Sequence, residues 1–168
     1  MQNDFVSGSL GSKEAQNIVP KVIDKVAHFA GTVIFTQDTH QNDYLSTQEG
    51  KVLPVEHCIE DSDGWQLIDG LKELQKSKNY KSYKKDRFGS TQLAVDLVSE
   101  YKQGNISSIE LIGVCTDICV VSNALLLKAY MPELPISIDA SCCAGVTPLK
   151  HQAAIETMKS CQIYVKNG

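Results

Sequence analysis

Short runs rich in β-branched residues alternate along this chain with amphipathic helical patterns, and this alternation constrains the fold more than any other feature. The apolar runs predict buried strands at residues 32–37, 108–114, 136–139 and 162–165. Strands that alternate with helices are joined by right-handed crossovers and form a parallel sheet covered on both faces. We therefore expect one α/β domain over residues 1–168, with a three-layer α/β/α arrangement around a parallel, Rossmann-like sheet.

The helical patterns lie between these runs. Ile18, Val22 and Val26 form one apolar row at a spacing of four, and Pro20 must lie in the first turn of that helix or kink it. Further helices are predicted at residues 90–101, 116–130 and 148–160. The polar stretch 40–65 follows a strand, where the loops of an open α/β sheet usually form the active site.

Composition excludes several classes of protein. With 42% hydrophobic residues, the chain is globular, and a net charge of −4 argues against nucleic acid or an anionic membrane as a partner. No apolar run is long enough to span a bilayer and no export signal is visible, so we expect a cytoplasmic protein. The six cysteines are accordingly expected to be free thiols.

The segment 113–120, Gly-Val-Cys-Thr-Asp-Ile-Cys-Val, carries the strongest chemical signal. It joins a predicted strand to a predicted helix that Thr116 or Asp117 could cap, so Cys119 would lie in the first turn. The amides and positive dipole end of such a turn favour a thiolate and could stabilise an oxyanion. The alternative is that Cys119 is a buried hydrophobic residue, and spacing alone does not choose between Cys119 and Cys115.

Two polar groups are further candidates. The basic stretch 83–90 is either a solvated charged loop or the source of a lysine, Lys84 or Lys85, that lowers the pKa of a thiol.

The second group comprises Asp38, His40 and His57, with Glu49 as a further candidate, and it offers the donors of a divalent metal site. On spacing alone, scattered surface residues are the simpler interpretation. His28 and His151 lie on predicted helices and are read as structural, and residues 139–145 as a packing loop after a strand.

The segment G-V-x-T-D-x-C-V resembles the nucleophile motif of the nicotinamidases and isochorismatase-like cysteine hydrolases, and the similarity extends over nearly the whole chain. The resemblance implies that Cys119 is the nucleophile and that the Val114–Cys115 peptide is cis. It further implies that the backbone N–H groups of Cys115 and Cys119 form the oxyanion hole. The basic stretch is similar to the family's K-x-R-[YF]-[SG]-x-F loop, which makes Lys85 the catalytic lysine.

The same resemblance changes the interpretation of the acidic and histidine residues. The family carries D-x-H after this strand and a histidine in a P-x-H or P-x-x-H segment, which correspond to Asp38, His40 and His57. It implies a divalent metal (zinc, manganese or iron) that holds a pyridine nitrogen, and no organic cofactor. Phe5 corresponds to an aromatic residue of the substrate pocket.

The opening Met1-Gln2-Asn3-Asp4-Phe5 is similar to the family's D-x-Q-N-D-F, in which the first Asp is the catalytic acid. Met1 occupies the x position, so this acid and the strand before it are not in the sequence given, and Asp4 corresponds to a structural aspartate. We interpret this as an incomplete chain or, as the alternative, a pseudoenzyme. General acid–base groups contribute about 10²–10⁴-fold, so weak or no activity is expected for residues 1–168.

The resemblance predicts a hydrolase of non-peptide C–N bonds. It would convert a small carboxamide, nicotinamide in the first instance, to its acid and ammonia through a thioester on Cys119. The alternatives are a related hydrolase of carbamoyl or ureido substrates and an inactive binding protein. A small-molecule amide is the expected partner, and a homo-oligomer is left open.

Overall fold

The computed structural model describes all of residues 1–168, which group into an N-terminal unit, Met1–Arg87, and a C-terminal unit, Phe88–Gly168. Each unit contains parallel strands connected through helices. The predicted α/β class is therefore confirmed, while the assignment of residues 1–168 to a single domain stays a prediction.

The N-terminal unit contains a parallel two-stranded sheet in which Ile34 pairs with Lys81 and Asp38 with Lys85. Its elements are α1 (Asn3–Val6), α2 (Lys13–His28), β1 (Ile34–Asp38), a 3₁₀ helix (Tyr44–Ser46), α3 (Gln48–Val52), α4 (Asp69–Lys78) and β2 (Lys81–Lys85).

Helix α2 begins where the Ser12 side chain accepts a hydrogen bond from the Ala15 N–H at 3.1 Å. Its row of Ile18, Val22 and Val26 is buried, as the spacing predicts. Pro20 lies inside the helix, seven residues after its first residue, so a first-turn position is wrong.

Strand β2 falls in the stretch predicted to be a basic loop, and that prediction is wrong for its first part. Tyr83 and Lys85 are buried while Lys84 is exposed, which is the period-two alternation of a strand. The alternation is hidden in the sequence because the second inward position is a lysine. A buried lysine is stable here because its partner, Asp38, occupies the matching position on β1.

The C-terminal unit has a parallel sheet of order β3–β4–β5, and its elements are α5 (Thr91–Lys102), β3 (Ile109–Val114), a π-helical turn (Thr116–Val120), α6 (Val121–Tyr130), β4 (Ile136–Ala144), α7 (Pro148–Ser160) and β5 (Tyr164–Lys166). Strand β4 runs five residues beyond the predicted end at residue 139, so most of the predicted packing loop 139–145 is strand. The extension pairs with β3 across a register shift between Leu111 and Gly113. Gly113 has φ +118°, which only glycine adopts readily.

The core of the C-terminal unit lies where α6 and α7 pack on this sheet. Its largest fully buried side chains include Leu127, Met131, Ile136, Ile138 and Met158. Burial of such side chains is the main stabilising contribution to a unit of this size. No helix of the structure has both the length and the apolar character needed to cross a membrane.

Candidate active site

Four side chains of the types that can bind a metal ion meet at the end of β1 in the N-terminal unit: Asp38, His40, Glu49 and His57. Asp38 ends β1, His40 follows it by two residues, Glu49 lies on α3, and His57 lies in the following loop. The Nε2 atoms of both histidines lie 3.7–3.9 Å from Asp38 Oδ2 and Glu49 Oε1. One ligand atom from each residue lies within 4.8 Å of all the others.

The two imidazoles are oriented toward this cluster. His57 Nδ1 lies 2.9 Å from the Val55 carbonyl oxygen and donates to it, which leaves Nε2 as the lone-pair nitrogen. His40 Nε2 is buried and has no hydrogen-bond partner. A buried polar atom without a partner costs about 1–3 kcal/mol, and a bound cation would remove that cost.

The separations also fit a metal. Four donors placed about 2.0–2.2 Å from a tetrahedral ion lie about 3.3–3.6 Å apart, so the histidine–carboxylate separations of 3.7–3.9 Å need only a small contraction. Two nitrogen and two carboxylate oxygen donors suit zinc, manganese or iron(II). The residues present therefore fit a divalent cation.

Burial and charge act in opposite directions on these groups. Burial raises the pKa of Asp38, but His40 and Lys85 outweigh it and hold that pKa below its usual value. The distance of 3.8 Å between His40 Nε2 and Asp38 Oδ2 is too long for a hydrogen bond, so their interaction is electrostatic. Burial and the Asp38 carboxylate raise the pKa of Glu49. Burial and the same two carboxylates raise the pKa of Tyr44 to about 12, so the phenol beside the cluster stays neutral.

Lys85 contacts the other side of the Asp38 carboxylate. Its Nζ donates to Asp38 Oδ1 over 2.9 Å, and both side chains are buried. Lys84 points outward and pairs with the partly exposed Glu60. Of the two candidate lysines, Lys85 is therefore the one that the strand directs inward.

The N-terminal segment contacts the residues of the cluster and their neighbours. The role of Gln2 in this support was not predicted from the sequence. Its carboxamide accepts from the Asp38 N–H at 2.8 Å and donates to the Asp38 carbonyl at 2.7 Å, as a neighbouring strand would. Asp4 Oδ2 accepts from the Cys58 N–H at 2.7 Å, which agrees with a structural role. The Phe5 ring meets His57 edge-on with centroids 5.7 Å apart.

In the C-terminal unit, Cys119 lies in a wide π-helical turn between β3 and α6. The Val120 N–H reaches back five residues to the Cys115 carbonyl at 3.0 Å, and the Val121 N–H bonds to Thr116 with the same spacing. The Val114–Cys115 peptide is cis, as the resemblance implies. The prediction of an α-helix from residue 116 is wrong for this first turn.

The predicted cap is also wrong, because Thr116 and Asp117 bond elsewhere. Thr116 Oγ1 shares a hydrogen bond of 2.8 Å with His151 Nδ1 on α7. Asp117 Oδ1 accepts from the Val146 N–H at 2.9 Å. These side chains connect the turn to the segment that follows β4 instead of capping α6, and the structural role of His151 stays a prediction.

The thiols differ in exposure. None of the six cysteines forms a disulfide, as predicted; Cys58, Cys142 and Cys143 are buried, Cys115 and Cys119 are half-buried, and Cys161 is exposed. A nucleophile must be both reachable and held in place. Cys119, in the turn, and Cys115, just before it, are both partly exposed and therefore accessible to a substrate.

Comparison with known proteins identifies the family. The isochorismatase domain family matches residues 1–167.

The chain belongs to the isochorismatase family.

Solved structures agree. The nicotinamidase of Bacillus subtilis is 27% identical, with a TM-score of 0.83 over 99% of this chain and 94% of that one. The pyrazinamidase/nicotinamidase of Streptococcus mutans is 24% identical, with a TM-score of 0.82 over 98% of this chain and 94% of that one. The pyrazinamidase of Pyrococcus horikoshii, solved in complex with zinc, is 23% identical, with a TM-score of 0.78 over 98% of this chain and 93% of that one.

No curated protein matched the chain in a separate sequence comparison. The family match and the nicotinamidase neighbours confirm the predicted fold and the nicotinamidase-like branch. They also confirm the predicted enzyme class, a hydrolase acting on non-peptide C–N bonds.

Proposed function

We propose that this protein hydrolyses a small aromatic carboxamide, nicotinamide in the first instance, to the carboxylic acid and ammonia through a thioester on Cys119. The observation that carries the proposal is the buried cluster of Asp38, His40, Glu49 and His57, with its unpartnered imidazole nitrogen. The 27%-identical Bacillus subtilis neighbour is a nicotinamidase, which supports the same chemistry.

Asp38, His40, Glu49 and His57 would hold a divalent metal. When bound, that ion supplies a Lewis-acid position that can accept the ring nitrogen of a pyridine carboxamide. Phe5, whose ring lies against His57, supplies an apolar surface beside the metal ligands on which an aromatic ring can rest.

The reaction itself uses the thiol of Cys119. Its sulfur forms a bond to the carbonyl carbon, the C–N bond breaks, and the thiol proton leaves with the amine as ammonia. Water then adds to the thioester, which releases the acid and restores the thiol. The backbone N–H groups of Cys115 and Cys119 would stabilise the oxyanion, and Lys85, as an ammonium, would favour the thiolate.

The proposal can be tested with an aldehyde analogue of the substrate, which reacts with a thiol without releasing a leaving group. A thiol adds reversibly to an aldehyde, so pyridine-3-carbaldehyde should occupy the site as a hemithioacetal of Cys119 even where proton transfer to ammonia is slow. We expect it to protect Cys119 from iodoacetamide in the zinc-loaded protein, with mass spectrometry reporting each cysteine. Benzaldehyde, which lacks the ring nitrogen, should protect far less, and exposed Cys161 should not be protected by either.

Equal protection by the two aldehydes would contradict recognition of the pyridine nitrogen. Protection of Cys161 and Cys119 alike would contradict a specific site. Ammonia release from nicotinamide, even at a low rate, that is lost in Cys119→Ala then supports the proposal further, whereas release only from a carbamoyl or ureido substrate would favour the other C–N hydrolases of the family.

A further inference from the structure

The side chain of Asn123 is bonded to the turn that carries Cys119. Asn123 lies on α6, is 5% exposed, and follows Cys119 by four residues. Its Nδ2 donates to the Cys119 carbonyl at 2.8 Å and to the Phe88 carbonyl at 3.1 Å. Its Oδ1 accepts from the Ser90 N–H at 2.9 Å.

No other side chain of this length supplies two donors and one acceptor on a single planar group. Aspartate lacks the donors, leucine lacks all three groups, and glutamine is one methylene longer. The carboxamide of Asn123 satisfies three backbone groups within the C-terminal unit. These three hydrogen bonds therefore offset the cost of burying the Asn123 carboxamide, and they explain why asparagine suits this position.

The Cys119 carbonyl stands where the helix changes spacing. The carbonyls of Cys115 and Thr116, which precede it, accept from the N–H groups five residues later, on Val120 and Val121; α6, which begins at Val121, follows the ordinary spacing of four. A π-helical turn holds one residue more than an α-helical turn, and such turns occur mostly as single turns at functional sites. If the turn reverted to α spacing, every residue before it would rotate by about 100° relative to α6.

We propose that Asn123 is a positioning residue for Cys119: its amide fixes the Cys119 carbonyl and so keeps the nucleophile turn in its π spacing, with the thiol directed as the reaction requires. This proposal rests on Cys119 being the nucleophile of the proposed function. Asn123 need not touch the substrate, because it acts through the backbone of Cys119. The two bonds to Phe88 and Ser90 hold its carboxamide in the orientation that this requires.

A matched pair of variants isolates the bond to Cys119. Serine on a helix can donate its hydroxyl to the carbonyl four residues earlier, so Asn123→Ser can keep the bond to Cys119 while losing those to Phe88 and Ser90. Asn123→Ala loses all three, and the two variants differ by a single oxygen atom. Asn123→Thr and Asn123→Val form a second pair of the same design, with more volume to fill the site if the smaller pair folds poorly.

The measurement is the rate of alkylation of Cys119 by iodoacetamide in the full chain, with exposed Cys161 as the internal reference. We expect Asn123→Ala to slow Cys119 by about tenfold, because a turn that leaves its π spacing moves the sulfur away from the amides of the turn that favour its thiolate. Asn123→Ser should stay close to the wild-type rate, and Cys161 should react equally in all variants. Leu134→Ala, which leaves a cavity in the core beyond the end of α6, controls for lost stability and should leave Cys119 unchanged.

An alanine variant that reacts as fast as the serine variant, or faster, overturns the positioning role. The same holds if Leu134→Ala slows Cys119 as much as Asn123→Ala does. With a substrate in hand, the role requires that kcat fall in Asn123→Ala with little change in KM, and be restored in Asn123→Ser. Alkylation needs no substrate, so failure of the nicotinamide proposal would leave the difference between alanine and serine intact and is told apart from failure of this one.

Discussion

Lys85 Nζ lies 2.9 Å from Asp38 Oδ1, and each of the two side chains is only 4% exposed. The two residues occupy paired positions on the parallel strands β2 and β1. The second oxygen of the same carboxylate lies 3.8 Å and 3.9 Å from the imidazoles of His40 and His57. The Asp38 carboxylate thus lies between the Lys85 ammonium and the two imidazoles. Its negative charge can offset part of the charge of the ammonium and of a bound cation.

Removal of Lys85 should destabilise the metal-free protein strongly. Lys85→Met leaves the Asp38 carboxylate buried without its cation, and breaking a buried pair in this way costs about 3–5 kcal/mol. Urea unfolding of the metal-free protein measures the loss. Lys84→Met is the matched control: its partner Glu60 lies at the surface, so we expect little change. Equal losses from the two variants would contradict the assignment of Lys85 as the inward lysine.

Metal affinity should depend on the two imidazoles of the cluster. Loss of even an outer-shell partner typically weakens a metal site by about 10–100-fold, so His40→Ala and His57→Ala should each weaken zinc binding by about 100-fold or more. Competition with a chromophoric chelator measures the affinity. His28→Ala, at an exposed histidine on α2, is the control and should bind zinc as the wild type does. A site outside the cluster is indicated if all three variants keep the wild-type affinity.

The sequence pattern predicts an element correctly where apolar residues are buried and polar residues are exposed. Helix α7 matches the predicted bounds 148–160, because Pro148 suits a first turn and the apolar residues that follow have helical spacing. Strand β2 could not be predicted, since one of its inward positions is a lysine whose partner is distant in sequence. The five-residue spacing around Cys119 has no local signature either, because a periodicity of 3.6 and a single π turn place apolar residues alike.

The candidate site shows the same division. Asp38, His40 and His57 are brought together with Glu49, as the family motifs imply. Gln2 and Asn123 were missed as supporting residues because their roles depend on backbone groups far from them in sequence or on an irregular turn. A carboxamide that bonds to backbone groups produces no periodic pattern in the sequence. Its supporting role is therefore seen only from its burial and its hydrogen bonds in the structure.

Stability should fall on mild acidification through His151. Burial lowers the pKa of this imidazole, and the nearby Asp117 carboxylate only partly opposes the effect. Between the lowered folded value and the unfolded value of about 6.5, the unfolded chain binds more protons, so stability rises with pH in that window. The contribution is complete above about pH 6.5 and is lost as the pH falls below it.

The check is urea unfolding at pH 7.5 and pH 5.5 in the wild type and in His151→Gln, about one unit on either side of the ordinary histidine pKa. We expect a smaller drop between the two pH values in the variant, because glutamine does not titrate. His28→Gln removes a largely exposed histidine and should keep the drop seen in the wild type. A drop of the same size in His151→Gln would show that other groups cause the acid sensitivity.

Gly145 should not tolerate a side chain, because the turn that carries Cys119 packs against it. A Cβ at Gly145 would lie 2.8 Å from Asp117 Oδ1 and 2.9 Å from the Cα of His151, and the second of these atoms belongs to the backbone of α7. We expect Gly145→Ala to lower the free energy of unfolding by about 1–3 kcal/mol, the usual cost of overpacking. Gly89→Ala is the matched control, since its Cβ would meet Leu126 at 3.4 Å, an ordinary contact. The comparison of their urea midpoints decides the matter: near-equal stability of the two variants would mean that the segment after β4 can move away from Asp117, and that the bond from the Val146 N–H does not hold it in place.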